Sequence, residues 1–241
     1  MTDEASSKVA AERWAALESN PEVMTKLCHQ LGVSSMFEVV DVWGLDPDML
    51  GFVPQPIVSL ILLFPSKSRD DENRRVTVPD HEMSSQVYYL TQLKGHLDNA
   101  CGTIAMIHSI MNNRDILGVA NNKESVAERF YEATKSSSGD ERGKFLDTFQ
   151  DIVDIHNKLV TEGQSNVVES EKVCHHFVCI TSVNGHLVEL DGAYNSGPNI
   201  ISKIPDGEGF LDCAAKFVKE KYISTNADAQ FALMALVMAQ N

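Results

Sequence analysis

The stretch His176-Phe177-Val178-Cys179-Ile180-Thr181-Ser182-Val183-Asn184-Gly185-His186-Leu187-Val188-Glu189-Leu190-Asp191-Gly192 decides the fold class. Phe177 to Val183 and His186 to Leu190 are rich in β-formers. Asn184-Gly185 stands between them, and both residues tolerate the positive φ of a tight hairpin turn. The turn folds one strand back on the other. It brings His176, at the head of the first strand, near Asp191, at the end of the second. An antiparallel sheet component follows, and with it an imidazole beside a carboxylate.

Outward from the hairpin, helices and strands are mixed. Asn20-Pro21-Glu22 is a helix start: a capping side chain, a proline at the first helical position and an acid near the positive end of the dipole. Val23, Leu27 and Leu31 follow at helical spacing, and Gly32 is placed to end the helix. Glu38 to Trp43 reads as a strand, and Asp46-Pro47 starts a short helix. Val58 to Phe64 reads as a buried strand stopped by Pro65. Cys101 to Met111 is apolar or small around its whole circumference, as a helix in mid-core would be. Ser125 to Lys135, Gly139 to Val160 and Gly209 to Tyr222 read as helices. Phe231 to Met238 reads as a last buried strand, although a buried helix has a similar pattern. The expected class is α+β or mixed α/β, with a largely antiparallel central sheet flanked by helices. Residues 1–9 read as a flexible terminus and 10–241 as one domain. Residues 66–82, strongly polar, read as a mobile surface loop, and Glu162 to Lys172 as another polar loop.

The 241 residues are 43% hydrophobic and 22% charged, enough for one large core. The longest apolar run, Phe231 to Ala239, is strand-sized and well short of the ~18 residues a membrane span needs. The start of the chain is polar and is not a secretory apolar segment. A cytoplasmic location is therefore expected. The five cysteines, Cys28, Cys101, Cys174, Cys179 and Cys213, include no CxxC pair and are expected to be reduced. A net charge of −14 repels phosphate backbones, so nucleic acid is not an expected partner, nor is a membrane. A basic protein or peptide tail would be attracted.

Cys101 lies in Asn99-Ala100-Cys101-Gly102-Thr103, where a polar turn gives way to the apolar helix. A thiol at a helix N-terminus feels the positive end of the dipole, which favours the thiolate. Gly102 leaves space for a carbonyl to approach, and the N–H groups there can hold a developing oxyanion. A thiolate catalyst needs a base, and the base needs an orienter. His176 and Asp191 offer both. Cys174-His175-His176 invites a metal reading, but adjacent strand residues point to opposite faces and make a poor chelate. No metal or other cofactor is expected.

These blocks resemble the ubiquitin C-terminal hydrolases, along nearly the whole chain. The resemblance includes Leu17-Glu18-Ser19-Asn20-Pro21-Glu22-Val23, Val40-Asp41-Val42-Trp43-Gly44-Leu45-Asp46-Pro47 and Leu62-Leu63-Phe64-Pro65. The Asn-x-Cys-Gly-Thr block and the His…Glu-Leu-Asp-Gly block are its most specific parts. It implies a papain-like cysteine hydrolase architecture with a knotted backbone, which neither composition nor periodicity indicates. It implies a Cys-His-Asp triad in which Cys101 is nucleophile, His176 general base and acid, and Asp191 orienter. The implied reaction releases small adducts or short peptide extensions from the C-terminal glycine of ubiquitin through a thioester.

The family also uses a glutamine as oxyanion donor, and Val87-Tyr88-Tyr89-Leu90-Thr91-Gln92 resembles the segment that ends in it. Gln92 stands nine residues before Cys101, where the family usually has six. The reading adopted is a three-residue expansion that bulges outward and leaves Gln92 in place. The polar stretch Thr161 to Lys172 matches the position of a loop that crosses the active site. Glu18, Glu22, Asp41 and Asp228 match positions that contact the substrate, whose tail is basic. The implied partner is ubiquitin or a ubiquitin-like modifier, acted on by a monomer, with a place in ubiquitin-dependent protein catabolism. A weakly active ubiquitin-sequestering protein is the alternative that the Gln92 spacing favours.

Overall fold

Asn184 and Gly185 form the hairpin turn with φ of 49° and 75°, the two positive values that such a turn requires. It joins strand β3 (Cys174–Val183) to β4 (His186–Leu190) in antiparallel register, with Val183 opposite His186 and Cys179 opposite Leu190. The fold is that of a computed structural model, which describes residues 14–66, 81–92, 97–162, 174–224 and 230–240. The predicted hairpin is thus present with its predicted turn.

Four further strands complete the sheet among the described residues: β1 (Phe37–Asp41), β2 (Ile57–Ser66), β5 (Asn199–Lys203) and β6 (Ala232–Met238). Their order is β1-β6-β2-β3-β4-β5, with every pair antiparallel. The final apolar run is therefore a strand and not a helix. It lies between β1 and β2, and Met234 to Val237 are fully buried because both sheet faces are covered.

Alternation divides the core into two layers. Val39, Ile61, Phe177, Cys179, Val188 and Leu236 face one side. There they pack against α1 (Pro21–Leu31), α4 (Cys101–Asn112), α5 (Val126–Thr134), α6 (Gly139–Leu146) and α7 (Gln150–Glu162). Leu60, Leu62, Phe64, Val178, Ile180, Leu187 and Ala235 face the other. There they meet α2 (Pro47–Leu50) and α8 (Phe210–Val218). Burying each such side chain contributes about 1.5–3 kcal/mol. A short helix, α3 (His81–Ser85), completes the described elements.

Helix α4 is buried from Cys101 to Met111, as its uniformly apolar surface requires. Two of its hydroxyls are satisfied inside: Thr103 Oγ1 bonds His156 Nδ1 at 2.8 Å and Ser109 bonds Ser59 at 2.6 Å. Helix α1 begins and ends as the sequence implies. Asn20 accepts the Glu22 N–H, Pro21 opens the helix, and Gly32 closes it at φ 111° while its N–H bonds Cys28 and His29 carbonyls.

Four expectations change. The strand β2 runs through Pro65 to Ser66. Pairing with β6 ends at Leu63, so Pro65 stands where β2 is paired on one side only and a missing N–H is tolerated. The helix expected over Gly139 to Val160 is two, α6 and α7. Asp147 breaks them, held by a 3.3 Å bond from Trp14 Nε1, while Phe145 and Phe149 both pack on Phe130 and keep the apolar period unbroken across the gap. Helix α8 stops at Val218 and a π-type turn, Lys219–Ile223, replaces its last turn. Ser66 belongs to β2, and His81 and Glu82 to α3, not to the first polar loop, and Thr161 and Glu162 belong to α7, not to the second. The rest of the first loop, 67–80, lies outside the described residues, as do residues 1–9 and 163–172.

Gly32 and Gly185 separate two costs. A Cβ on Gly32 would stand 2.3 Å from Ser125 Cβ, whereas one on Gly185 would meet nothing within 4 Å. Gly185→Ala should cost about 1–2 kcal/mol of left-handed strain alone, and Gly32→Ala distinctly more. Denaturant titration of the two variants checks this, and equal losses would contradict it.

Candidate active site

Cys101 is the first residue of α4, and among the described residues no side chain caps that helix start. First-turn N–H groups have no acceptor within the helix, so the thiol sits at the positive end of the dipole. Gly102 lets α4 approach β3 closely. A Cβ there would come within 3.3 Å of the Phe177 ring and 3.5 Å of Leu17 Cβ. Close approach at Phe177 sets the neighbouring His176 beside Cys101.

His176 pairs opposite Phe64 in the register of β2 and β3. Its ring meets the Phe64 ring edge-on at 5.8 Å, and Phe64 in turn packs on Tyr222 at 4.7 Å. The imidazole is wholly buried. Its Nε2–H donates to Asp191 Oδ1 at 2.6 Å. Extending the hairpin register places Asp191 opposite Val178, so it reaches His176 as a diagonal neighbour on the same sheet face. Nδ1 bonds no other nitrogen or oxygen. Burial alone would lower the histidine pKa. The Asp191 charge and hydrogen bond, together with the adjacent Cys101, outweigh it and raise the value to about 9. The imidazolium is therefore the favoured form at neutral pH, with a thiol at its side and a carboxylate behind it.

Asp191 is held in its turn as well as by His176. Oδ1 accepts the Ala193 N–H at 2.9 Å, and its carbonyl accepts the Tyr194 N–H at 3.0 Å. Gln92 stands beside this turn. Its backbone N–H donates to the Gly192 carbonyl at 2.7 Å. Its side-chain Nε2 donates to the carbonyls of Leu97 (2.8 Å) and Asp98 (3.0 Å), and Oε1 is buried without a hydrogen bond. Gln92 thus lies between the Asp191 turn and the entry to α4. Both amide hydrogens brace the segment that enters α4. Leu93 to His96 lie outside the described residues.

The four residues Cys101, His176, Asp191 and Gln92 are brought together. Glu18 is part-exposed and follows Leu17, which packs on Gly102. Glu22 is exposed in the first turn of α1. Asp41 ends β1, half-buried, and burial raises its pKa. Asp228 lies outside the described residues. His175 is exposed whereas His176 is buried, so the two imidazoles do not converge on one ion.

Sequence reasoning missed the layer behind the imidazole. Glu189 is fully buried, with Lys221 Nζ at 2.8 and 2.6 Å from its two oxygens, Asn199 Nδ2 at 2.8 Å, and the Tyr222 hydroxyl also donating to it. A buried charge of this kind persists only when paired and hydrogen-bonded. The signal for Glu189 was its place two residues before Asp191, on the same sheet face. Lys221 had none, because the π-type turn that aims it is invisible in the helical pattern.

A thiol, an imidazolium and a carboxylate side by side are the groups that a cysteine hydrolase of the thiol-protease type requires. Comparison with known proteins agrees. The profile of ubiquitin carboxyl-terminal hydrolase, family 1, matches residues 14–223. A ubiquitin carboxyl-terminal hydrolase of Drosophila melanogaster is 37% identical over 236 residues, covering 94% of this chain and 98% of its own. The human ubiquitin carboxyl-terminal hydrolase isozyme L1 is 34% identical, covering 92% and 97%. The crystal structure of the Trichinella spiralis UCH37 catalytic domain, bound to ubiquitin vinyl methyl ester, superposes with a TM-score of 0.77 at 25% identity, covering 97% and 99%. The chain belongs to ubiquitin carboxyl-terminal hydrolase family 1.

The thiols should differ in reactivity. Burial pushes the pKa of Cys28 and Cys179 well up, whereas Cys101 lies at a helix start beside an imidazolium. At pH 7 iodoacetamide should label Cys101 about tenfold or more faster than Cys28 or Cys179. Peptide mapping by mass spectrometry checks this, and equal labelling would contradict it.

Proposed function

We propose that this chain releases small adducts or short peptide extensions from the C-terminal glycine of ubiquitin, with Cys101, His176 and Asp191 as its triad. The 2.6 Å bond between His176 and Asp191, with Cys101 adjacent, carries the proposal. In this reading the Cys101 thiol has already given its proton to His176, whose imidazolium is that proton's resting place. The thiolate attacks the carbonyl carbon of the terminal glycine, and the carbonyl π electrons move to oxygen. The first-turn N–H groups of α4 stabilise that oxyanion. The tetrahedral adduct collapses, the bond to the leaving group breaks, and His176 gives the departing amine or thiol its proton. A thioester remains. His176, now neutral, takes a proton from water, the hydroxide adds to the thioester, and thiolate departs to leave the free carboxylate. Asp191 keeps the imidazole oriented and stabilises its charge through both halves.

In this reading Gln92 donates a second hydrogen bond to the oxyanion once its amide has released Leu97 or Asp98. The net charge of −14 suits a partner with a basic tail. In this reading one chain supplies all the catalytic groups and acts as a monomer. The engaged Gln92 amide favours a second reading, a weakly active protein that binds and sequesters ubiquitin. Turnover of a fluorogenic ubiquitin amide decides between them.

The pH dependence of that turnover follows from the charge on His176. The imidazolium is the competent form, so kcat/KM should fall as pH rises through about 9. Asp191→Asn removes the charge that raises the histidine pKa. It should move this alkaline limb to lower pH and lower kcat by about 10²–10⁴ with little change in KM. An unmoved limb, or an equal loss of ubiquitin binding, would make Asp191 structural.

A further inference from the structure

Tyr89 is buried and lies three residues before Gln92, between the helix that carries Cys101 and the turn that carries Asp191. Its ring stacks on His108 at 5.1 Å with planes 14° apart. His108 follows Cys101 on α4 by seven residues, two helical turns, so the two share a face of that helix. Burial holds the His108 pKa down at about 4, so this support stays uncharged across the working range. At its other end, the Tyr89 hydroxyl shares its one proton between the carbonyls of Asp191 and Tyr194, the latter at 2.6 Å. Those carbonyls are the first and last of the turn whose Asp191 carboxylate orients His176. The Tyr89 backbone is anchored from a third direction, because Arg142 Nη1 donates to its carbonyl at 2.8 Å and the Thr91 N–H bonds the Gly139 carbonyl at 3.0 Å.

We propose that Tyr89 is a positioning residue, a strut whose ring rests on α4 and whose hydroxyl fixes the Asp191–Tyr194 turn at a set distance from Cys101. It acts by holding the carboxylate and the nucleophile in one frame, which the Gln92–Gly192 bond alone does not do. Without the hydroxyl, the Asp191 carbonyl keeps the Tyr194 N–H, and the turn is left able to shift against α4. Small displacements of reacting groups lower turnover far more than binding.

Tyr88 provides a matched control. It is the neighbouring residue, similarly buried, and its hydroxyl bonds Thr134 Oγ1 at 2.6 Å, on α5 and away from the triad. The inference rests on the triad assigned above, so Asp191→Asn is run in the same assay with fluorogenic ubiquitin amide. Tyr89→Phe should lower kcat about tenfold with KM within about twofold, and move the alkaline limb of kcat/KM toward lower pH. Tyr88→Phe should leave both kcat and the limb unchanged while losing comparable thermal stability. The strut is overturned if Tyr89→Phe keeps native kcat while Asp191→Asn is impaired, or if the two tyrosine variants lose activity equally. If Asp191→Asn is itself unimpaired, the triad assignment fails and the strut falls with it.

Discussion

The hydrogen bond from His176 Nε2 to Asp191 Oδ1 is 2.6 Å long and completely shielded from water, and the surrounding structure is arranged to hold it. A charged pair in such a place is stable only with its remaining groups satisfied. Asp191 meets this through the Ala193 N–H at its carboxylate and two donors at its carbonyl. The hairpin register provides the geometry. Asp191 falls opposite Val178 and therefore diagonally across from His176, within reach of an imidazole but not of a shorter side chain.

The site lies where the two core layers meet. Cys101 comes from α4, in the layer that packs on Cys179 and Val188. His176 and Asp191 belong by alternation to the other face, where Phe64, Tyr222 and the Glu189–Lys221 pair close behind the imidazole. This wall of aromatic rings and paired charge excludes water from the rear of the ring and strengthens the field of Asp191 upon it. The Cys101 thiol adjoins the same ring. Gly102 and Gly192 are the points of closest approach, one between α4 and β3, the other between the Asp191 turn and Gln92.

Much of this was legible in the chain because the informative features were local. Asn20-Pro21 and Gly32 wrote both ends of α1, and Asn184-Gly185 wrote the hairpin that pairs histidine with acid. The uniformly apolar circumference of Cys101 to Met111 put α4 in mid-core. What stayed hidden depends on contacts between distant segments. The break at Asp147 is held by Trp14, more than a hundred residues away, and the apolar period carries on across it. The placement of Lys221 needs a π-type turn that no periodicity records. Phe64 could be placed against His176 only once β2 was known to pair with β3. The tolerance of Pro65 within β2 likewise depends on where β6 stops, which is a property of the sheet and not of the dipeptide.

The most direct test of the account is mass spectrometry of the protein after incubation with ubiquitin vinyl methyl ester, with peptide mapping of the product. One ubiquitin per chain, linked through Cys101 and lost in Cys101→Ala, is the result expected of a thiolate presented to the ubiquitin terminus. Ubiquitin binding without any adduct, or an adduct on another cysteine, would contradict it.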